Sequence, residues 1–174
     1  MAHFLKGNNL ELEAISLDHI SDKYISWFHD KDVKKGLYSG RKPASTTSLE
    51  SYIATTLANP KAIMFAIIYQ SEHIGNIKID NFDSISQTAE LGILIGEKQH
   101  WGKGLGFEAC QLVIDYAFNE LNFRKILLSV FTNNPNATRL YEKLGFNIEG
   151  QLKEQVYIDG QYVDKIYMGL FKDK

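Results

Sequence analysis

The sequence predicts a mixed α/β fold made of a single domain, residues 1–174. Two apolar runs of strand length, Ala62–Tyr69 and Lys125–Phe131, predict strands that are buried on both faces. Between them, Ala89–Ile95 alternates in polarity as a strand does, and Leu105–Ala117 carries apolar residues at helical spacing. Strands that alternate with helices indicate a mixed sheet with helices packed against it.

The N-terminal part of the chain predicts a strand followed by a helix. In Asn9–Ile15, leucines and alanine alternate with glutamates, as expected of a strand with one buried face. Ser16 can cap the next helix, and Asp18 suits its first turn. The apolar face of this helix is formed by Ile20, Tyr24, Trp27 and Phe28.

A polar segment, Lys31–Ser45, is predicted to be a loop because it contains Gly36, Gly40 and Pro43. A second helix begins at Thr46 or Thr47 and ends at Asn59-Pro60. The buried strand Ala62–Tyr69 then turns into a partner strand, Ile74–Asp80, and a polar link covers Asn81–Ser86.

The C-terminal part predicts one helix and a hairpin. Asn134 can cap a helix that has Pro135 as its first residue, and Gly145 ends that helix. Phe146–Ile158 and Tyr162–Phe171 are predicted strands joined through Asp159-Gly160, a strong hairpin turn. The predicted order is therefore β-α-α-β-β-β-α-β-α-β-β.

The junction between the Ala89–Ile95 strand and its helix is rich in glycine. It reads Trp101-Gly102-Lys103-Gly104-Leu105-Gly106. Glycines let the backbone approach a ligand closely, and the first N–H groups of a helix favour an anion. We therefore expect a phosphate group here, with Lys103 adding positive charge. The segment lacks the GxxxxGK[ST] of a P-loop, and no βαβ unit with a later ribose-binding acid surrounds it.

Composition excludes several classes of protein. The hydrophobic fraction of 44% and the charged fraction of 23% are typical of a globular domain, and a net charge of −2 does not favour nucleic acid. Cys110 is the only cysteine, which excludes an intrachain disulfide, and no metal-binding Cys/His spacing occurs. The N-terminus has no apolar run long enough for a signal peptide or a membrane span. We expect a cytoplasmic protein without a metal, and Cys110 as an inert core thiol.

Four segments, in this order along the chain, resemble the GNAT superfamily of acetyl-CoA-dependent N-acetyltransferases, and its RimJ/RimL-like group in particular. The central strand with the glycine-rich junction resembles the pyrophosphate loop. The sequence from Asn134 to Phe146 resembles the more specific signature NxxAxxLYEKLGF. Glu149-Gly150 and Tyr157–Asp164 resemble the C-terminal hairpin of that group. Spermidine N-acetyltransferases have a similar hairpin and glycine loop. The superfamily pattern begins with Arg or Gln at the position that Trp101 holds here, although RimJ/RimL-like sequences often carry Trp at that position.

The resemblance implies acetyl-CoA as the cosubstrate and a set of residues that bind it. Backbone N–H groups near Leu94 and Ile95 would donate to the thioester carbonyl, where the central strand bulges and parts from Lys125–Phe131. Asn134 would cap its helix and contact the pantetheine arm. The pyrophosphate would lie on the loop and the first turn of its helix, formed by Trp101, Gly102, Lys103, Gly104, Leu105, Gly106 and Phe107.

The reaction needs a base and an acid. An alkyl amine has a pKa near 10, so only roughly one in a thousand is neutral at pH 7. Glu90, on the central strand and on the face opposite Ala89, is the candidate base, because family members often carry a carboxylate there that acts through water. His73 and His100 are alternatives, although His100 is expected to face solvent from its loop. Tyr141 matches the general acid of the family, and the surrounding motif makes this role the better supported one.

The acceptor amine remains open at this point. A protein N-terminus or a small amine is expected first, and a polyamine or a nucleotide-linked amino sugar is the alternative. A non-catalytic acyl-CoA-binding module is the alternative of another class, which the presence of Tyr141 and Asn134 disfavours. No nucleic-acid or membrane partner is expected. The strand edges of the last hairpin are compatible with a homodimer.

Overall fold

The computed structural model describes residues 3–37 and 42–172, with eight strands and five helices in these ranges. The strands are β1 His3–Lys6, β2 Leu10–Ala14, β3 Ile63–Tyr69, β4 Glu72–Asp83, β5 Thr88–Ile95, β6 Lys125–Phe131, β7 Asn147–Ile158 and β8 Gln161–Phe171. The helices are α1 Asp22–Trp27, α2 Lys31–Lys34, α3 Thr46–Ala58, α4 Leu105–Asn119 and α5 Pro135–Lys143. The mixed α/β fold predicted from the sequence is confirmed.

The strands form one sheet in the order β1-β2-β3-β4-β5-β6-β8-β7. Neighbours are antiparallel except for β5 and β6, which are parallel. A parallel pair needs a crossover, and α4 supplies it. The hairpin β7–β8 forms one end of the sheet and leaves β7 as the edge strand, where the sequence suggests pairing between copies.

Apolar residues cover both faces of the sheet, which explains the continuous apolar sequence of β3. One face packs against α4 and α5, and Phe65 and Ile67 of β3 point to that side. The other face packs against α1 and α3, with Met64 and Ala66 of β3 in that cluster. Side chains that alternate along β3 thus enter two separate cores.

Several predicted boundaries are wrong near the N-terminus. The strand β1 was not expected, because it is only four residues long and its apolar run, Phe4-Leu5, has only two. Ser16 does not begin an α-helix: it precedes a short 3₁₀ turn, Leu17–His19, and its backbone N–H donates to His19 Nδ1 at 3.1 Å. The helix α1 begins only after Ser21, whose Oγ accepts from the Tyr24 N–H at 3.2 Å.

Two predicted connections also contain regular structure. Lys31–Lys34, the start of the predicted loop, is helical because the Asp30 carboxylate accepts from the N–H groups of Asp32 and Val33. Gly40 of that loop lies outside the described residues. The predicted link Asn81–Ser86 is partly a strand, since β4 continues to Asp83 and Asp83 pairs with Thr88.

Candidate active site

A row of polar side chains on β4 faces the central strand β5. Antiparallel pairing places Asn76 opposite Leu94, Lys78 opposite Gly92, and Asp80 opposite Glu90. Because side chains alternate along a strand, these six positions lie on one face of the sheet. The sequence predicts Glu90 on the face of β5 opposite Ala89, and the structure has it there.

This polar row forms the floor of a cavity of about 710 Å³. The walls come from α3, from the segment after α2, and from β6 and β8. Residues from these walls include Leu37, Ser48, Tyr52, Ser129, Phe131 and Lys165. A cavity of this volume, with apolar walls and a few polar groups at the floor, is typical of a small-molecule site.

Two carboxylates share the floor of the cavity with one lysine. Lys78 forms an ion pair with Asp80. Burial opposes the charged form of Lys78, but Tyr52, Asp80 and Glu90 outweigh it and raise the pKa of the lysine above its usual value. Glu90 Oε2 accepts a hydrogen bond of 2.8 Å from Asn81 Nδ2, which orients the carboxylate. Glu90 is therefore a carboxylate held in place at the cavity floor.

The strands β5 and β6 part beside this floor. Their parallel ladder joins only Thr88 to Lys125, Ala89 to Ile126, and Glu90 to Leu127. Leu94 and Ile95 lie beyond the last of these pairs, so this end of β5 is not paired with β6. The predicted parting of the central strand from Lys125–Phe131 is confirmed. It creates a gap in which backbone groups of β5 can meet a ligand.

The glycine-rich junction leaves an open surface at the start of α4. Gly102 and Gly104 have positive φ angles of 74° and 81°, and a Cβ atom on either would meet nothing within 4 Å. Gly104 precedes the first residue of α4 and offers no side chain to cap it. Unpaired N–H groups at an open helix N-terminus fit the pyrophosphate of acetyl-CoA.

The side chains of the junction differ in exposure. Trp101 is 44% exposed, and its Nε1 donates to the Ile95 carbonyl at 2.9 Å, which ties the loop to the end of β5. Lys103 is exposed, with its Nζ 3.5 Å from His100 Nδ1. Leu105 is buried in the core, and Phe107 is half-buried. Leu105 thus anchors the helix, while only its backbone can serve a ligand.

Gly106 marks the point where the junction, β5 and α5 meet. A Cβ atom at Gly106 would lie 3.8–3.9 Å from side-chain atoms of Ile93, Ile95 and Leu140. Asn134, at the start of α5, accepts from the Ala137 N–H at 3.2 Å, which confirms its capping role. Its Nδ2 lies 2.9 Å from the position that a Cβ on Gly36 would occupy, close to the cavity wall. The junction is therefore next to the end of β5 and to α5, and Asn134, at the start of α5, lies close to the cavity wall.

Tyr141 lies on α5 and is buried in the core on the α4 side of the sheet. Its ring packs edge-on against Phe146, with 5.9 Å between the ring centroids. Burial raises the pKa of the Tyr141 phenol far above its usual value. Tyr141 is not among the residues that line the cavity, and its core cluster lies on the face of the sheet opposite the polar row that carries Glu90. Cys110 is fully buried, and burial raises the pKa of its thiol to about 12, as expected of an inert thiol.

The expectation that His100 faces solvent is wrong. His100 is buried, its Nε2 lies 3.3 Å from Glu72 Oε2, and its ring packs against Tyr69. His73 packs against Trp27, with 5.0 Å between the ring centroids, and its Nε2 lies 3.0 Å from Asn76 Oδ1. Neither histidine lines the cavity, which leaves Glu90 as the better-placed candidate base.

Lys78, Asn76 and Tyr52 are cavity residues that the sequence analysis did not single out. Asn76 is buried, and within residues 3–37 and 42–172 its Nδ2 has no hydrogen-bond partner. The alternation of Asn76, Lys78 and Asp80 along a predicted strand was visible in the sequence. The sequence does not show on which face of the sheet this cavity forms. We call it the acceptor cavity below, because Glu90, the candidate base, lies at its floor.

Two other features are absent from residues 3–37 and 42–172. No group of three or more His, Cys, Asp or Glu side chains could hold a metal ion there. In the same ranges, no helix is both long enough and apolar enough to cross a membrane. The cytoplasmic location expected from the sequence stays a prediction.

Residues 9–147 match the family model described as an acetyltransferase (GNAT) domain. The spermidine N(1)-acetyltransferase of Escherichia coli is 35% identical over 108 residues, which are 62% of this chain and 58% of that protein. The ribosomal-protein-serine acetyltransferase of Escherichia coli is 29% identical over 164 residues, which are 91% of this chain and 90% of that protein. Similar sequences therefore include enzymes named for two different acceptors.

Solved structures with the same fold include two with bound ligands. The spermidine N-acetyltransferase of Vibrio cholerae in complex with CoA and spermine has a TM-score of 0.83, with 28% identity over 95% of this chain and 96% of that one. A RimL ribosomal L7/L12 α-N-protein acetyltransferase in complex with coenzyme A has a TM-score of 0.85 over 95% of each chain, at 17% identity. With the family match over most of the sequence, the open glycine junction and the parted strands, these similarities show that the chain belongs to the GNAT acetyltransferase family.

Proposed function

We propose that the protein transfers an acetyl group from acetyl-CoA to a primary amine, a protein N-terminus or a small amine. The observation that carries this proposal is the gap between β5 and β6, which has the open glycine junction at one end and Glu90 at the other. When bound, acetyl-CoA supplies the acetyl group as an activated thioester. The residues around the gap then have three separate tasks.

Glu90 accepts the proton that the acceptor amine must lose. It lies on the cavity floor, and its hydrogen bond with Asn81 holds the carboxylate in one orientation. A carboxylate can take the proton directly or through one water molecule. The backbone N–H groups near Leu94 and Ile95 stabilise negative charge on the thioester oxygen, because they lie where β5 has no ladder with β6.

Tyr141 donates a proton to the sulfur of the departing thiolate. Its buried phenol has a raised pKa and so stays protonated at neutral pH. Asn134 holds the start of α5, which carries Tyr141. Glu90 and Tyr141 thus act on opposite sides of the parted strands, one on the amine and the other on the sulfur.

The alternative acceptor is a polyamine. It is favoured by the similarity to the spermidine acetyltransferases, which are named for that substrate. The two alternatives differ in what surrounds the amine, because a polyamine carries several further positive charges and a peptide N-terminus carries peptide groups. A non-catalytic acyl-CoA-binding module would need neither Glu90 nor Tyr141 at the gap.

The proposal is tested by measuring thiol release from acetyl-CoA with peptides that begin with Ala or Ser, with spermidine and spermine, and with nucleotide-linked amino sugars. We expect turnover with at least one class of amine, and we expect Glu90→Gln to lower kcat and flatten the acidic limb of its pH profile. Glu11→Gln, on the distant strand β2, serves as the control and should keep the full rate. Binding of acetyl-CoA without turnover on any amine would favour the non-catalytic module, and an unchanged pH profile in Glu90→Gln would remove Glu90 as the base.

A further inference from the structure

Positive charge predominates around the acceptor cavity. Among the described residues, its lining includes the lysines Lys42, Lys78 and Lys165 and the carboxylates Asp80 and Glu90. A site built for a polyamine needs an excess of carboxylates, since each ammonium group that loses water must be paired. At this cavity, lysines outnumber carboxylates among the described lining residues.

Lys78 also neutralises one of the two carboxylates. The lysine forms an ion pair with Asp80, and its side chain crosses over Gly92, where a Cβ atom would lie only 3.3 Å from Lys78 Cε. The absence of a side chain at Gly92 therefore lets Lys78 lie along the cavity floor. Asp80 is occupied by this pair, so Glu90 alone remains to meet an incoming amine.

The other two lysines have no carboxylate partner in the part of the chain that the structure describes. Lys165 is half-buried on β8, with its Nζ 4.8 Å from the centroid of the Tyr167 ring. Lys42 is exposed and lines the cavity from the segment after α2, and no ion pair within the described ranges involves it. Lysines without partners on two walls of a cavity attract an anion into it.

The described residues next to this wall in the sequence are basic as well. Residues 31–37 and 42 include four lysines, Lys31, Lys34, Lys35 and Lys42, and a single acidic residue, Asp32. Asp32 is already paired, with Lys98 at 3.0 Å and Lys35 at 3.8 Å. Gly36 and Leu37, which follow three of these lysines in the sequence, line the cavity.

Resting on the proposed acetyl transfer, we propose that the acceptor is the N-terminus of a peptide whose next residues are acidic. The amine meets Glu90, while the carboxylates that follow it lie near Lys165 and Lys42. The charges of such a peptide complement those of the cavity, whereas a polyamine would bring cations next to three lysines. Charged groups at the mouth of a site act mainly on encounter and on KM, and salt weakens their effect.

The experiment compares three peptides of equal length that begin with Ser and continue with acidic, neutral or basic residues, together with spermidine. We expect kcat/KM to be roughly tenfold higher for the acidic peptide than for the basic one, mainly through KM, and the difference to shrink at high salt. A preference for the basic peptide or for spermidine would overturn this inference and leave the acetyl transfer standing. No turnover with any of the four acceptors would overturn this inference, and turnover with a nucleotide-linked amino sugar would then leave the acetyl transfer standing.

A matched pair of variants assigns the effect to the cavity. Lys165→Gln should raise KM for the acidic peptide by roughly threefold, with little change for the neutral peptide and in the Kd of acetyl-CoA measured by calorimetry. Lys6→Gln removes an equally charged but distant lysine on β1 and should change neither KM. Equal effects of Lys165→Gln on the acidic and neutral peptides would show that charge does not select the acceptor.

Discussion

Burial decides the protonation state of Tyr141, the residue that carries the proposed acid. Its phenol lies in the core between α4 and α5, where an ionised oxygen would be strongly disfavoured. Burial keeps the proton on the phenol, so it is present when the thiolate departs, but it also makes the phenol a weaker acid than the thiol that forms. Proton donation by Tyr141 therefore has to be coupled to the breaking of the carbon–sulfur bond and to the proton that the amine loses.

The substitution Tyr141→Phe separates these two roles. It removes only the hydroxyl, so the ring still packs against Phe146. We expect kcat to fall by about 10²–10⁴-fold while the Kd of acetyl-CoA is unchanged, as measured by thiol release and calorimetry. Tyr157→Phe, on the exposed side of β7, serves as the control. Loss of acetyl-CoA binding in Tyr141→Phe would indicate a packing role, and an unchanged kcat would exclude the acid.

At the scale of elements, the close approach of β4 and β5 sets the shape of the gap. A Cβ atom at Gly75 would lie 2.2 Å from the Leu94 carbonyl oxygen and 3.0 Å from Ile95 Cα. Both neighbours belong to the backbone, which cannot turn aside as a side chain can. Only glycine at this position lets β5 lie where its last residues face the gap.

We expect Gly75→Ala to push the end of β5 away from β4. The free energy of unfolding should fall by about 1–3 kcal/mol, and acetyl-CoA should bind more weakly because Leu94 and Ile95 are displaced. Urea denaturation and calorimetry measure the two effects. In the control variant Gly150→Ala the new Cβ meets nothing within 4 Å, and neither quantity should change. Full acetyl-CoA affinity in Gly75→Ala would contradict the proposed role of this part of β5.

At the scale of the whole molecule, buried histidines make stability depend on pH. Burial lowers the pKa of His73, and the neighbouring His19 lowers it further. Burial and the nearby Lys103 lower the pKa of His100. In the unfolded chain both would titrate near pH 6.5. The unfolded state therefore binds more protons below that pH, so stability is complete above about pH 6.5 and falls as the pH falls below it.

We expect the melting temperature to decrease between pH 7.5 and pH 5.5, measured by calorimetry without ligand. His73→Phe keeps a ring of similar shape between Trp27 and Tyr24 but cannot take up a proton. This variant should lose less stability over the same pH range. His29→Phe, an exposed histidine, is the control and should behave as the unchanged protein does. An equal pH dependence in His73→Phe and the unchanged protein would contradict this origin of the effect.

The sequence by itself determined the order of the main elements, because hydrophobic periodicity and turn residues act over a few neighbouring positions. The alternation in β5, the helical spacing in α4 and the Asn134-Pro135 cap of α5 all predicted the elements found. The predictions from sequence are wrong in short or locally capped segments. The strand β1 and the helix α2 are each only four residues long, too short for periodicity to reveal them.

Only the tertiary structure decided which side chains share the acceptor cavity. Lys78, Glu90 and Lys165 come from three strands, and nothing in their spacing shows that they line one cavity. The burial of His100 is equally non-local, since it depends on Tyr69 and Glu72 of the neighbouring hairpin. Local patterns specify helices and strands because they reflect contacts within one element, whereas a site depends on how the elements pack. The charge of the acceptor cavity, and with it the proposed acceptor, follows from that packing.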